Sequence, residues 1–170
     1  PRVGLVSVGV EDHKGNALTK EVFEALKKLP INFLGNMEAR DAVSGEYDIL
    51  VADGFVGNVL LKSVEGTAGM VMSELKSAIM KSTAAKFGTL FMKKAFRTLK
   101  KDMDYNAYGG APFLGVKKVV VKAHGAANPA AVLAALRQVK KMADADLVGK
   151  IKSEMEKLAA QTVSQDGENA

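Results

Sequence analysis

Residues 2–8 read Arg-Val-Gly-Leu-Val-Ser-Val, and this short apolar run determines the class of fold that we expect. A continuous apolar run followed by a polar loop is typical of a parallel strand that is buried on both faces. Because natural chains rarely begin inside a central strand, we expect a fragment, a processed chain or a missing N-terminal partner. The alternative is a short edge strand at a trimmed terminus.

The rest of the chain alternates between extended and helical patterns. Further strands are predicted at residues 31–34, 48–52 and 118–122, and helices at residues 16–29, 58–82, 85–103 and 128–161. This alternation predicts an α/β fold with a mainly parallel sheet and flanking helices. The two helices within residues 58–103 interrupt the alternation, so we expect them to form a protruding helical pair. The last helix is expected to break near Gly149.

The composition excludes several classes of function. With 48% apolar and 25% charged residues, the 170-residue chain is typical of a globular protein. The absence of cysteine excludes disulfides and a thiol nucleophile, and two histidines argue against a zinc site. No apolar run approaches the roughly 18 residues that span a bilayer. No signal peptide opens the chain, so a cytoplasmic location is predicted.

The positive charge of the chain is concentrated in one segment. Residues 76–101 contain eight basic residues and no acidic one, so this segment contributes +8 to the net charge of +5 and the rest contributes −3. Neither an aromatic stacking platform nor a reader motif accompanies these residues, so no nucleic-acid partner is expected.

Apolar residues at helical spacing lie inside the basic segment. Phe87, Leu90 and Phe91 share one predicted helix face, and Lys93 and Lys94 flank it. An apolar face with a basic border is typical of a helix that lies at a membrane surface. The alternative is that these apolar residues pack between the two long helices and the lysines are merely solvated.

Glycine-containing loops follow the four predicted strands, at residues 9–16, 35–40, 53–58 and 123–128. Open α/β sheets bind ligands at the carboxyl ends of their strands, and a helix start offers N–H groups to an anion. The third loop is the best candidate for a phosphate site, and its candidate ligands are Asp53, Gly54, Gly57, Asn58 and, one turn further on, Lys62. The sequence of this loop matches neither a P-loop nor a dinucleotide-binding fingerprint. The alternative to a phosphate site is that its glycines only make tight turns.

Polar side chains in these loops have two interpretations each. Lys14 pairs with phosphate, or it is a solvated loop lysine. His124 transfers a proton or donates a hydrogen bond to an oxyanion, or its ring is fixed by backbone carbonyls. Asp53 orients a lysine or a histidine, or it caps the following helix. Asn36, in the second loop, is a further candidate for substrate binding.

Residues 105–115 combine aromatic residues, two adjacent glycines and a proline, which predicts a structured loop. With Gly109 and Gly110 at its centre, this loop walls a substrate pocket or serves as a rigid connector back to the sheet.

Five motifs follow one another along the chain: Lys14-Gly-Asn-x-Leu-Thr-Lys20, Ile31-Asn-Phe-Leu-Gly-Asn36, Asp53-Gly-Phe-Val-Gly-Asn58, Tyr108-Gly-Gly-Ala-Pro112 and Lys122-Ala-His-Gly125. In this order, and with Arg137-Gln138 after them, they resemble the PlsX family of phosphate acyltransferases. The resemblance covers nearly the whole chain, residues 1–170, and corresponds to roughly the C-terminal half of that family's single α/β domain.

The resemblance implies an enzyme that converts acyl-acyl carrier protein and inorganic phosphate into acyl phosphate for phospholipid synthesis. It implies a fold similar to that of isocitrate and isopropylmalate dehydrogenases, with no cofactor and no metal. It also implies a cytoplasmic homodimer that contacts the membrane peripherally. Carried onto this sequence, it implies three catalytic residues, Lys14, Asn58 and His124. The substrate-binding residues that it implies are Asn36, Asp53, Gly54, Gly57, Lys62, Gly109 and Gly110.

Two other functions fit the same residues. An enzyme similar to phosphotransacetylase would take the acyl group from coenzyme A, although the basic segment favours the acidic carrier protein as donor. A non-catalytic module would bind a membrane surface or an acidic partner. Because an unpaired edge of a buried sheet invites aggregation, we expect this polypeptide alone to be neither active nor a stable monomer.

Overall fold

The computed structural model of the chain describes residues 1–102, 109–125 and 127–168. The chain divides into two compact units, residues 1–86 and residues 87–170. Each unit combines strands with helices, so the predicted α/β class is confirmed. Part of the predicted loop 105–115, including Tyr105 and Tyr108, lies outside the described residues.

The first unit is built around a parallel sheet of three strands in the order β2-β1-β3. These strands are β1 (Arg2–Ser7), β2 (Asn32–Glu38) and β3 (Ile49–Val51). The first strand has a parallel neighbour on each side, and Val3, Leu5 and Val6 are all buried. The opening apolar run therefore forms a central strand, as the sequence predicts.

The second strand is longer than the sequence predicts. Its register with β1 shifts between Val3 and Gly4, where Leu34 is the extra residue of a β-bulge. Gly35 completes the bulge with a φ of +103°, a conformation that residues with side chains rarely adopt. Because the strand continues beyond this bulge, Asn36 lies inside β2 and not in the loop predicted to follow it.

One helix of the first unit packs on this sheet. Helix α1 (Ala17–Lys27) places Phe23 against Phe33 of β2, with ring centroids 5.4 Å apart in an edge-to-face arrangement. Asn16 caps the helix, since its side-chain oxygen accepts the Thr19 N–H at 2.9 Å. The helix predicted to start at Asn16 is thus confirmed.

Two long helices follow β3, namely α2 (Gly54–Met80) and α3 (Thr83–Asp102). The prediction that the first of them begins at Asn58 is wrong, because the helix begins four residues earlier at Gly54, with Asp53 as its cap. With 27 residues, α2 is about 40 Å long at 1.5 Å per residue. None of its residues is buried within the first unit.

The second unit contains a hairpin and two further helices besides most of α3. These elements are β4 (Gly110–Phe113), β5 (Val120–Ala123), α4 (Pro129–Asp144) and α5 (Leu147–Glu168). The fourth predicted strand, now β5, pairs with β4 in the antiparallel direction, so the expectation that it extends a parallel sheet is wrong. The sequence hides β4 because glycine and Pro112 are both unfavourable in strands.

The last predicted helix breaks three residues earlier than expected. Asp146 adopts a φ of +48° between α4 and α5, and its carboxylate accepts the Gly149 N–H at 3.3 Å. Gly149 itself lies in the first turn of α5. The break therefore occurs at a capping aspartate, and the glycine leaves room for its carboxylate, because a Cβ on Gly149 would clash with Asp146 Oδ2.

Candidate functional site

The carboxyl ends of β1, β2 and β3 lie at the same end of the sheet because the three strands are parallel. The loop that carries Lys14 leaves the central strand there, and α2 begins there after β3. Asn36 approaches the same end from inside β2. The fold thus gathers at this end the predicted site residues of the first unit, which are Lys14, Asn36, Asp53, Gly54, Gly57 and Asn58, with Lys62 further along α2.

Lys14 lies in a tight turn after β1. Its backbone N–H donates to the Glu11 carbonyl at 3.0 Å, which closes the turn. Its half-buried side chain passes over Gly9, where an added Cβ would lie 3.2 Å from Lys14 Cγ and 3.6 Å from Cδ. Gly15 follows with a φ of +107° and leads the chain into α1. A lysine held in this way can present its ammonium group to an anion at the end of the sheet.

Asn36 is buried next to this turn, with 4% of its surface exposed. Its Nδ2 donates to the Glu11 carbonyl at 2.8 Å, while its Oδ1 is buried and has no partner among the described residues. Ser7 Oγ, at the end of β1, is a second buried atom of this kind. Because buried polar atoms are rarely left unpaired, this end of the sheet differs from an ordinary apolar interior.

Asp53 caps α2, which confirms one of its two predicted interpretations. Its Oδ1 accepts the N–H groups of Phe55 and Val56 at 2.8 and 2.9 Å, and its carbonyl accepts that of Gly57 at 2.9 Å. The N–H groups of Phe55 and Val56 are therefore already used, and a phosphate would have to displace the carboxylate to reach them. This arrangement leaves Lys14 as the stronger candidate for an anion ligand.

The remaining candidates of the third loop lie within α2. Gly54 and Gly57 both lie inside α2 and neither has a positive φ, so the structure does not support the alternative that they only make tight turns. Gly54, Asn58 and Lys62 are four residues apart and share one face of the helix. Apart from the helix's own backbone and the two neighbours in the chain, no atom of the described residues lies within 4 Å of a Cβ added to Gly54, so its missing side chain leaves room beside the exposed Asn58. Lys62 Nζ pairs with Glu65 Oε2 at 2.6 Å.

Gly109 and Gly110, in the second unit, are explained by close packing. Gly109 has a φ of +81°, and an added Cβ would lie 2.4 Å from the Ala135 nitrogen of α4. A Cβ on Gly110 would lie 2.5 Å from the Lys122 carbonyl oxygen of β5. Backbone atoms thus require a glycine at both positions without any ligand. This geometry favours the interpretation of the loop as a rigid connector.

His124 belongs to the second unit and follows β5 directly. It is exposed, and its carbonyl oxygen accepts the Ala127 N–H at 2.9 Å. Asn128 then caps α4 by accepting the Ala131 N–H at 2.9 Å. The strand, glycine loop and helix predicted around His124 are therefore present. Lys14 and Asn58, the other two predicted catalytic residues, belong to the first unit.

The predicted membrane-contact residues lie on α3, and their side chains are exposed. The exposed fractions of Phe87, Leu90 and Phe91 are 71%, 67% and 91%, and Lys93 and Lys94 are exposed beside them. In the part of the chain that the structure describes, no helix is both long enough and apolar enough to cross a membrane. The same residues contain no group of three or more histidines or acidic residues that could hold a metal ion.

Sequence reasoning missed two residues that shape the first unit's site. Glu11 contributes its backbone carbonyl as a hydrogen-bond acceptor. Every residue type has such a carbonyl, so the sequence carries no signal for this role. Gly9 provides the surface over which the Lys14 side chain passes, and its proximity to Lys14 along the chain was a usable signal.

Residues 1–150 match the model of a protein family described as "Fatty acid synthesis protein". A phosphate acyltransferase of Clostridium perfringens (strain SM101 / Type A) is 49% identical over 158 residues, covering 92% of this chain and 47% of that protein. A phosphate acyltransferase of Lysinibacillus sphaericus (strain C3-41) is 48% identical over 151 residues, which cover 89% of this chain and 46% of that protein. A phosphate acyltransferase of Bacillus cereus (strain B4264) is 48% identical over 161 residues, which cover 95% of this chain and 49% of that protein. The chain spans about half the length of the curated relatives it matches.

Proposed function

Because the chain belongs to this family of fatty acid synthesis proteins, we propose that it supplies part of an active site that transfers an acyl group to inorganic phosphate. The acyl donor is acyl-acyl carrier protein, and the products are acyl phosphate, which enters phospholipid synthesis, and free carrier protein. The whole enzyme has the architecture of isocitrate and isopropylmalate dehydrogenases, and residues 58–103 form an arm that protrudes from it.

One observation carries the proposal, namely that Lys14 and Asn58 belong to elements at the same end of a parallel sheet. Lys14 is on the loop that leaves the central strand, and Asn58 is in the second turn of the helix that follows the neighbouring strand. Side chains on a helix tilt toward its N-terminus, so Asn58 extends toward that end of the sheet across Gly54. A cation and an amide donor at one end of a sheet suit a reaction of phosphate.

The chemistry requires positioning more than it requires an enzyme nucleophile. A phosphate oxygen attacks the carbonyl carbon of the thioester, a new C–O bond forms, and the C–S bond breaks with departure of the thiolate. Lys14 neutralises the phosphate, and Asn58 donates a hydrogen bond to the oxygen that becomes negative during the attack. A thiolate leaves readily, so the reaction needs no strong general acid.

The proposal includes three partners besides phosphate. The basic segment of residues 76–101 attracts the acidic carrier protein. The long helix α2, which buries none of its residues, forms part of a homodimer contact. The exposed apolar face of α3 touches the membrane, where a long-chain acyl phosphate partitions, so the enzyme is cytoplasmic and peripherally associated.

The test measures acyl phosphate formation in the longest form of the protein that its gene encodes. We expect Lys14→Met and Asn58→Ala each to lower turnover by about 100-fold, the usual loss for one preorganised stabilising group. Lys28→Met, which removes an exposed lysine at the C-terminal end of α1, is the matched control and retains full activity. Turnover close to wild type in both site variants would exclude this site. Faster turnover with acyl-coenzyme A than with the carrier protein would favour an enzyme similar to phosphotransacetylase.

A further inference from the structure

We propose that Asn36 positions Lys14 for phosphate binding and does so without touching the substrate. This inference rests on the proposed function, because it takes Lys14 to be the phosphate-binding cation. It also differs from the resemblance, which implies that Asn36 binds substrate. The relevant contacts meet at one atom, the carbonyl oxygen of Glu11, which accepts hydrogen bonds from two different elements.

The Glu11 carbonyl joins the loop after β1 to the neighbouring strand. The Lys14 N–H donates to it at 3.0 Å from within the loop, and Asn36 Nδ2 donates to it at 2.8 Å from β2. Asn36 lies opposite Leu5 of the central strand, and both residues are buried, so the sheet fixes the amide in place. The turn that carries Lys14 is thereby fastened to the buried centre of the sheet.

A second contact restricts the lysine side chain itself. A Cβ on Gly9 would lie 3.2 Å from Lys14 Cγ, so the lysine passes close over the backbone of the strand end. The backbone of Lys14 is held through Glu11 and its side chain lies against Gly9. A side chain held in this way loses less conformational entropy when it binds a ligand.

The chemistry of Asn36 argues against direct contact with phosphate. One of the two N–H groups of its Nδ2 donates to the Glu11 carbonyl, and because the side chain is buried the other is not presented to a phosphate in solution. Its Oδ1 is a hydrogen-bond acceptor, so it cannot bind the ionised oxygens of phosphate, and its burial keeps it away from a P–OH group as well. The contribution of Asn36 to phosphate binding therefore passes through the turn that holds Lys14.

The first test replaces Asn36 by aspartate, which keeps the size of the side chain but puts a carboxylate oxygen in place of the amide donor. In the longest form of the protein that its gene encodes, we expect Asn36→Asp to raise the KM for phosphate by roughly 10- to 100-fold. Amide hydrogen exchange in residues 9–16 also becomes faster. Asn32→Asp, the same change at an exposed position of the same strand, leaves both quantities unchanged.

A double-mutant cycle with Lys14→Met separates positioning from general damage to the fold. If Asn36 acts through Lys14, Asn36→Asp has little further effect on the KM for phosphate once Lys14 is removed. Fully additive losses would overturn the proposal, and so would unchanged exchange in residues 9–16. A wild-type protein that makes no acyl phosphate would overturn the proposed function and the phosphate role of Lys14. Hydrogen exchange would then still decide whether Asn36 holds the turn.

Discussion

Arg2 and Asp48 join the start of β1 to the residue that precedes β3. Asp48 Oδ2 accepts the Arg2 backbone N–H at 2.7 Å and Nε at 3.1 Å, and Oδ1 accepts Nη2 at 2.9 Å. In return, the Asp48 N–H donates to the Arg2 carbonyl at 2.9 Å. Hydrogen bonds from the Arg2 side chain and backbone hold the pKa of the Asp48 carboxyl well below its usual range. The pair thus fixes the alignment of two strands at the end of the sheet opposite the candidate site.

The lowered pKa of Asp48 predicts a pH-dependent contribution to stability. The folded chain holds this carboxyl ionised more strongly than the unfolded chain does, so the pair stabilises the fold above the unfolded pKa of about 3.9. The contribution is lost as the pH falls below that value. We therefore expect Asp48→Asn to lower the melting temperature at pH 7 and to have a smaller effect at pH 3. Equal effects at the two pH values would contradict this assignment.

The cap of α2 predicts a difference between two substitutions of Asp53. Asp53→Ala removes the acceptor of the Phe55 and Val56 N–H groups and should lower the free energy of unfolding by about 1 kcal/mol. Asp53→Asn keeps a side-chain oxygen in that position and should cost much less. Urea denaturation of the two variants checks the prediction. Equal losses in both would mean that the charge of Asp53, and not its capping bond, stabilises the helix.

Local signals in the sequence predict the elements of the first unit but not all of their boundaries. The apolar run identifies β1 as a central strand because burial on both faces leaves a direct mark on composition. The extension of β2 through Asn36 depends on a bulge whose pairing partner lies some thirty residues earlier, so no local pattern reveals it. The direction of β5 depends in the same way on β4, whose glycine and proline conceal a strand.

The candidate site shows the same division between local and distant information. Lys14 could be selected from the sequence because a lysine beside glycine at a strand end is itself a signal. The role of Asn36 could not be predicted from the sequence, because its hydrogen-bond partner is the backbone carbonyl of Glu11, 25 residues away along the chain. Asp53 had two interpretations, and hydrogen bonds to N–H groups two and three residues later decided between them.

The packing of Gly109 predicts that its replacement is much more harmful than that of Gly115. Both residues have a left-handed backbone, with φ values of +81° and +79°. A Cβ added to Gly109 would clash with the Ala135 nitrogen, whereas a Cβ added to Gly115 would have no described atom within 4 Å apart from its neighbours in the chain. Gly115→Ala should therefore cost only the backbone strain of about 1 kcal/mol. Gly109→Ala should cost roughly 1–3 kcal/mol more because it overpacks the contact with α4.

Chemical denaturation of the two alanine variants measures this difference, and the glycine pair is its own control because the backbone strain is common to both. Similar losses would show that the contact between Gly109 and α4 relaxes easily. In that case the packing explanation for this glycine would fail, and the interpretation of the loop as a pocket wall would regain support.

The apolar face of α3 predicts binding to anionic membranes. Phe87, Leu90 and Phe91 are exposed on a helix whose surroundings are basic, and each basic group near an anionic surface contributes about 1 kcal/mol. We expect the protein to co-sediment with vesicles that contain anionic lipid. The double variant Phe87→Glu/Phe91→Glu should lose most of this binding, because it places two carboxylates where the apolar face would enter the lipid.

A matched pair on another helix shows whether the effect is specific to α3. Val132 and Leu136 of α4 are also exposed apolar residues four positions apart, so Val132→Glu/Leu136→Glu makes the same change in charge and spacing. This control should bind vesicles like the wild type. If the α3 variant folds and still binds normally, the helix is not the membrane contact. If high salt alone releases the wild-type protein, the contact is electrostatic and the phenylalanines do not insert.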